Sequence, residues 1–67
     1  MLKGKVSWFN DLKGYGFITC QSLPESVFVR FLDIRTPGYK TLKKGDNVSF
    51  DVERSTLGVK ATNVTKM

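Results

Sequence analysis

The 67-residue chain reads as all-β, a closed barrel of five short strands. Three observations predict it. Turn signals recur every few residues, at Gly4, Gly14, Gly16, Pro24, Pro37-Gly38, Gly45 and Gly58. No window of about 10–12 residues carries the 3.6-residue apolar period of a helix. Asn47–Glu53 alternates cleanly, with Val48, Phe50 and Val52 on one face and Asn47, Ser49, Asp51 and Glu53 on the other, as a strand with one buried and one wet face does. Closing such strands on themselves removes exposed edges and encloses the core.

The strands follow in order. The first spans Lys3–Asn10. Asn10-Asp11-Leu12-Lys13-Gly14 is a turn, with Asn and Asp suited to side-chain-to-backbone hydrogen bonds and Gly14 to positive φ. The second strand is Tyr15–Cys20 and the third Val27–Phe31, joined by the polar loop Gln21-Ser22-Leu23-Pro24-Glu25. Ser22 and Glu25 have capping-box spacing, but the β-branched and aromatic residues after them favour a strand. Leu32–Gly45 is the long connection, with a 3₁₀ turn placed near Leu32–Arg35, a turn at Thr36-Pro37-Gly38 and another at Lys43-Lys44-Gly45-Asp46. The fourth strand is Asn47–Glu53, Arg54–Gly58 is a loop, and the fifth strand is Val59–Thr65. Ala61 and Val64 differ in parity, so a bulge or an edge position is expected between them. An antiparallel five-stranded barrel of the OB-fold type fits this length and strand count.

A single small domain is expected, burying only ~60% of the surface that its unfolded chain exposes. The net charge of +5, from eleven Lys/Arg against six Asp/Glu, is consistent with a polyanionic partner. It also lies in the ordinary range for a soluble small domain. The absence of histidine excludes Ser-His-Asp and Cys-His catalysis. The carboxylates Asp11, Glu25, Asp33, Asp46, Asp51 and Glu53 show no metal-ligand or acid–base spacing, so no enzyme, metal, cofactor or small-molecule substrate is expected. Cys20, the single cysteine, forms no internal disulfide and reads as a small, partly buried apolar residue. No apolar run approaches the ~20 residues of a membrane span, and Met1-Leu2-Lys3-Gly4-Lys5 leads into no apolar signal segment. The expected compartment is the reducing cytoplasm, where the Asn63-Val64-Thr65 sequon has no glycosylation to receive.

Side chains alternate along a strand, so Tyr15, Phe17 and Thr19 share one face and Gly16, Ile18 and Cys20 the other. In the third strand Val27, Val29 and Phe31 oppose Phe28 and Arg30. Ile18, Val27 and Val29 match Val6, Val48, Phe50 and Val52 as compact core residues. Tyr15, Phe17, Phe28 and Arg30 then fall outside. A small barrel cannot bury both faces, and a contiguous exposed apolar patch marks an interaction site. Aromatic side chains suit single-stranded nucleic acid because every base has a π-face. Gly14 and Gly16 are expected to keep the backbone beside the rings clear for an approaching strand. Lys5, Lys13, Arg30, Lys40 and Lys60 are placed to flank the rings and meet phosphates, with stacking on a base a second role for Arg30. Trp8, Phe9, Phe31 and Tyr39 are candidates to extend the platform. Trp8 and Phe9 reach one face together only if the first strand is bulged. Core packing is an equal reading for Phe9 and Phe31 and the preferred one for Phe50. Lys43 and Lys44 read as solvated turn residues. A protein-interaction or dimerisation module that buries the same aromatic face is the alternative function.

Lys13-Gly14-Tyr15-Gly16-Phe17-Ile18 matches the front of the ribonucleoprotein signature, with Ile18 for Val and Cys20 where an aromatic is expected. The RRM fold that usually carries it needs more length and two helices. Gly4-Lys5-Val6-Ser7-Trp8-Phe9-Asn10, Val27-Phe28-Val29-Arg30-Phe31, Gly38-Tyr39-Lys40-Thr41-Leu42, Gly45, Val48-Ser49-Phe50 and Ala61-Thr62-Asn63-Val64-Thr65 add successive blocks. Together they resemble the bacterial cold-shock proteins over nearly the whole chain. The resemblance implies a closed OB-type barrel that binds single-stranded RNA and DNA, pyrimidine-rich by tendency. It implies a nucleic-acid chaperone that limits secondary structure in transcripts, often in cold adaptation. It implies a contact set of Trp8, Phe9, Lys13, Tyr15, Phe17, Phe28, Phe31 and Tyr39. A monomer is expected, with strand exchange through Leu32–Gly45 as the route to a dimer. The chain departs from the family pattern at Ser7, usually Lys; at Arg30, usually His; and at Ser26, usually Asp. The loop before Val27 is longer by one residue and carries Pro24, and Leu57 and Val59 stand where Arg and Pro are common. With its basic balance, the chain is expected to bind more strongly, less selectively and with more salt sensitivity.

Overall fold

The computed structural model describes residues 1–35 and 41–67. The turn expected at Thr36-Pro37-Gly38, and the candidate residues Tyr39 and Lys40, lie outside the described residues. The strands are β1 (Leu2–Asn10), β2 (Tyr15–Thr19), β3 (Val27–Arg30), β4 (Asn47–Ser55) and β5 (Gly58–Lys66). They close into a barrel in the order β1-β2-β3-β5-β4. Neighbours are antiparallel except β3 and β5, which run parallel with Phe28 beside Lys60. The closed five-stranded barrel expected from the sequence is found, with β3–β5 as the exception to its antiparallel pairing. A closed ring with an odd number of strands cannot alternate direction all the way round, so one pair must run parallel.

β4 and β5 each extend beyond the expected ends, leaving only Thr56 and Leu57 between Ser55 and Gly58. The parity conflict between Ala61 and Val64 is resolved by a bulge. Ser49 pairs with Thr65 and Asp51 with Thr62, so Phe50 faces both Asn63 and Val64. Asn63 absorbs the extra residue at φ 51°, a left-handed conformation that asparagine tolerates better than most side chains. Its Nδ2 donates to Asp51 Oδ2 at 3.1 Å, and its Oδ1 accepts from Arg35 Nε at 3.2 Å. Ala61 and Val64 consequently both point inward and are buried.

The core holds Val6, Ile18, Val27, Val29, Val48 and Phe50, all placed inside by parity. Val52 is only half-buried, packing against the cluster from its margin. Ile34, Leu42, Val59, Ala61 and Val64 complete the core. Ile34 follows a single 3₁₀ turn, Phe31–Asp33, which begins one residue earlier than expected. It bridges Val64 in parallel, and the Arg35 N–H donates to the Val64 carbonyl at 2.7 Å. This contact closes the barrel between β3 and β5, where strand pairing is shortest.

Removing the buried side chain at that closure tests its weight. Ile34→Ala is expected to cost about 2–5 kcal/mol. A domain of this size has roughly 3–10 kcal/mol in total, so the urea midpoint falls steeply. Leu12→Ala, at a side chain 99% exposed, shifts stability by no more than about 0.5 kcal/mol.

Candidate nucleic-acid interface

β1 carries the first determinant of the site. Val6 pairs with Ile18, but Trp8 pairs with Phe17, so Ser7 is an extra residue in β1. Its hydroxyl donates to the Phe17 carbonyl at 3.1 Å, which holds the bulge against β2. Val6 and Trp8 are two residues apart and would otherwise face the same way. The bulge sends Val6 into the core and Trp8 to the outer face, 43% exposed. At the same point β1 hands its other edge from β4 to a turn: the Val6 N–H donates to Asp46 O at 2.9 Å and the Gly45 N–H to Val6 O at 2.8 Å.

Beyond the bulge regular pairing resumes, with Phe9 opposite Gly16 and Asn10 opposite Tyr15. β2 and β3 are in plain register, with Tyr15 opposite Arg30 and Phe17 opposite Phe28. The outer face therefore gathers Trp8, Tyr15, Phe17 and Phe28. Their rings form a closed circuit. Trp8 meets Tyr15 edge-on at 5.4 Å and stacks with Phe17 at 6.3 Å. Phe28 meets Tyr15 at 5.6 Å and Phe17 at 5.8 Å. Contacts of this geometry add about 0.5–1.5 kcal/mol each beyond area burial.

Cations border the circuit. Arg30 Cζ lies over the Phe28 ring, 5.6 Å from its centroid. Lys60 flanks Phe28 from the β5 side, with its Nζ 3.8 Å from Glu53 Oε1. Both groups of that pair are well exposed, so the pair is weak and easily exchanged. Lys5, opposite Thr19, continues the outer face below Trp8 and Phe17. Lys13 sits in the β1–β2 turn, where its N–H donates to Asn10 Oδ1 at 2.9 Å. The Thr41 hydroxyl donates to Asp11 Oδ1 in the same turn.

Two candidate residues lie apart from the circuit. Phe9 points to the inner side, half-buried against the core, because the bulge precedes it and leaves its parity opposite to that of Trp8. Because the bulge lies before both residues, ordinary alternation still puts Trp8 and Phe9 on opposite faces, and the bulge does not unite them. Phe31 leaves the strand. It opens the 3₁₀ turn, donates its N–H to the Gly14 carbonyl at 2.9 Å, and stays 45% exposed rather than sharing the inner face with Val27 and Val29. Its ring covers Gly14, where a Cβ would come within 2.6 Å of a ring carbon. Gly14, at φ 74°, is therefore the seat of Phe31 and not open backbone. Gly16 is buried and faces inward; a Cβ there would lie 2.7 Å from the Phe9 Cα and also strike the Trp8 carbonyl oxygen. Both glycines serve ring packing, not the clearance expected of them. The role of Ser7 as the bulge residue was the feature least visible beforehand. Its signal was the demand that Val6 and Trp8, two apart, take opposite faces.

A closed five-stranded barrel with an aromatic sheet face defines the class, an OB-type barrel domain. The family model for the 'cold-shock' DNA-binding domain matches residues 2–67. The chain belongs to the cold-shock domain family and is a nucleic-acid-binding protein of that class. A cold shock-like protein of Aquifex aeolicus is 52% identical over 62 residues, covering 92% of this chain and 89% of the relative. The cold shock-like protein CspB of Bacillus cereus is 47% identical over 66 residues, covering 98% of this chain and all of the relative. A solved structure of drosophila Unr CSD456 superimposes with a TM-score of 0.82 at 18% identity, over 98% of this chain and 26% of that one. At that identity the likeness concerns the fold. No helix among the described residues is long and apolar enough to cross a membrane.

The inner contact that sets the β1–β2 spacing is testable. Gly16→Ala forces backbone apart under Trp8 and Phe9, and overpacking of this kind costs about 1–3 kcal/mol. The denaturant midpoint is expected to fall accordingly. An unchanged midpoint would contradict the close approach.

Proposed function

We propose that this protein binds single-stranded RNA and DNA on the outer face of β1–β3 and acts as a nucleic-acid chaperone without catalysis. The observation that carries the reading is the closed circuit of Trp8, Tyr15, Phe17 and Phe28 on an exposed sheet, bordered by Arg30 and Lys60. Rings held by one another are already ordered, so a base that stacks on them meets a prepared surface at small entropic cost. Paired bases are stacked on their neighbours and unavailable, which favours unpaired strands. A protein that occupies unpaired bases weakly and briefly competes with their pairing, and so limits secondary structure in cytoplasmic transcripts.

Phosphate contacts fall to Lys5, Lys13, Arg30 and Lys60. Phe31 extends the platform at the β1–β2 turn, Phe9 contributes through its half-exposed edge, and Tyr39 belongs to the contact set on sequence grounds alone. Pyrimidine-rich strands are the preferred target, because their weakly stacked bases unstack at least cost. The working unit is one barrel.

The platform predicts a separation of binding from stability. Phe17→Ala or Phe28→Ala is expected to weaken oligonucleotide binding by about 1–3 kcal/mol while the barrel stays folded. Unchanged affinity in both variants, measured by equilibrium titration, would remove the platform. The charge contacts predict a salt signature. Log affinity falls with log salt at a slope of about −0.7 per phosphate neutralised on a single strand, so Lys60→Gln reduces the slope by roughly that amount.

A further inference from the structure

Arg30 holds a position that stacking alone does not use. It is exposed, pairs across the sheet with Tyr15, and carries its Cζ over the Phe28 ring at 5.6 Å from the centroid. Among the described residues the two ion pairs join Glu53 to Lys60 and Asp46 to Lys66, and neither involves Arg30. Its side chain also takes part in none of the hydrogen bonds formed there. Among the described residues the guanidinium donors thus have no partner, and they stand over the ring that a base must reach to stack on Phe28.

A base in contact with the ring lies about 3.5–4 Å from its carbons. Entering there, it moves the guanidinium from over the ring to the rim and leaves the planar fork beside its edge. Two parallel N–H donors need two adjacent acceptors. Guanine offers O6 and N7 side by side. Adenine sets its N6 donor next to N7, and thymine and uracil place an N–H between their two carbonyls. Cytosine offers N3 and O2 when unpaired, but its single ring covers less of Phe28.

We propose that Arg30 makes the Phe28 subsite selective for guanine, so that the platform prefers a single-stranded segment with guanine at that one position. The inference rests on the stacking reading above and deepens it from a surface that tolerates any base to one with a single selective place. Phe28 supplies the stacking face and Arg30 the in-plane fork, while Lys60 on the far side of Phe28 meets the backbone.

The test is a set of equilibrium titrations of the full chain. The parent probe is an oligo-dT of roughly seven nucleotides, within the span of one OB barrel. In the others a single dT, at each position in turn, becomes dG, 7-deaza-dG, dC or dA. One position is expected where dG tightens binding on the order of tenfold over dT. 7-Deaza-dG, which lacks the N7 acceptor, loses most of that gain. In Arg30→Lys, which keeps the charge but not the fork, the ratio of dG to dT affinity falls to about 1. Equal affinity for dG and dT at every position overturns the assignment. So does a gain that survives 7-deaza-dG or Arg30→Lys, or a larger gain for dC. If no oligonucleotide binds at all, the stacking reading fails with it; if all bind alike, only the guanine assignment falls.

Discussion

Val6 and Trp8 are two residues apart in one strand, a spacing that in regular β-structure puts both side chains on the same face. Ser7 breaks that rule by adding one residue to β1, and its hydroxyl fastens the bulge to the Phe17 carbonyl. The closure of the ring circuit on the outer face depends on this step. Without it, either Val6 leaves the core or Trp8 enters a barrel whose interior Phe50 and the β-branched side chains already fill. With it, Trp8 arrives opposite Phe17 and the ring circuit closes. Gly16 completes the arrangement from below, where only a residue without Cβ lets Phe9 lie close against β2.

The division of labour between faces follows from size. A chain this short encloses one layer of side chains, and compact residues fill it: Val6, Val27, Val29, Val48 and Val64 around Ile18, Ile34 and Phe50. The larger aromatics are left to pack against one another on the surface. They gain from mutual contact, yet they remain half-exposed, so part of their apolar area stays available to a ligand. In the proposed function, binding and folding thus draw largely on different residues. That separation lets a marginally stable domain keep an adhesive face without giving up its core.

Much of this was legible in the sequence. Alternation in β4 and the parity of Ile18, Val27 and Val29 identified the core side of three strands, and the parity conflict between Ala61 and Val64 called for a bulge or an edge position, of which Asn63 supplies the bulge. The outer placement of Tyr15, Phe17, Phe28 and Arg30 followed from the same period of two. What escaped depended on chain direction and on contacts remote in sequence. Ile34 and Leu42 lie in the irregular connection, where no period exists to mark a buried residue. Phe31 left its expected face because the strand ended one residue sooner, at Arg30, and the chain turned onto Gly14. The parallel pairing of β3 and β5 is a property of ring closure that no local segment encodes.

The central claim is that unpaired bases stack on the face that Trp8 helps build. Trp8 is the only tryptophan, so its emission reports on that face directly. The decisive measurement is a titration of this fluorescence with an oligo-dT strand and, at the same salt, with a duplex of equal length. The account predicts saturable quenching by the single strand and much weaker quenching by the duplex. A strand that binds while the emission stays unchanged, or a duplex that quenches as strongly, would contradict it.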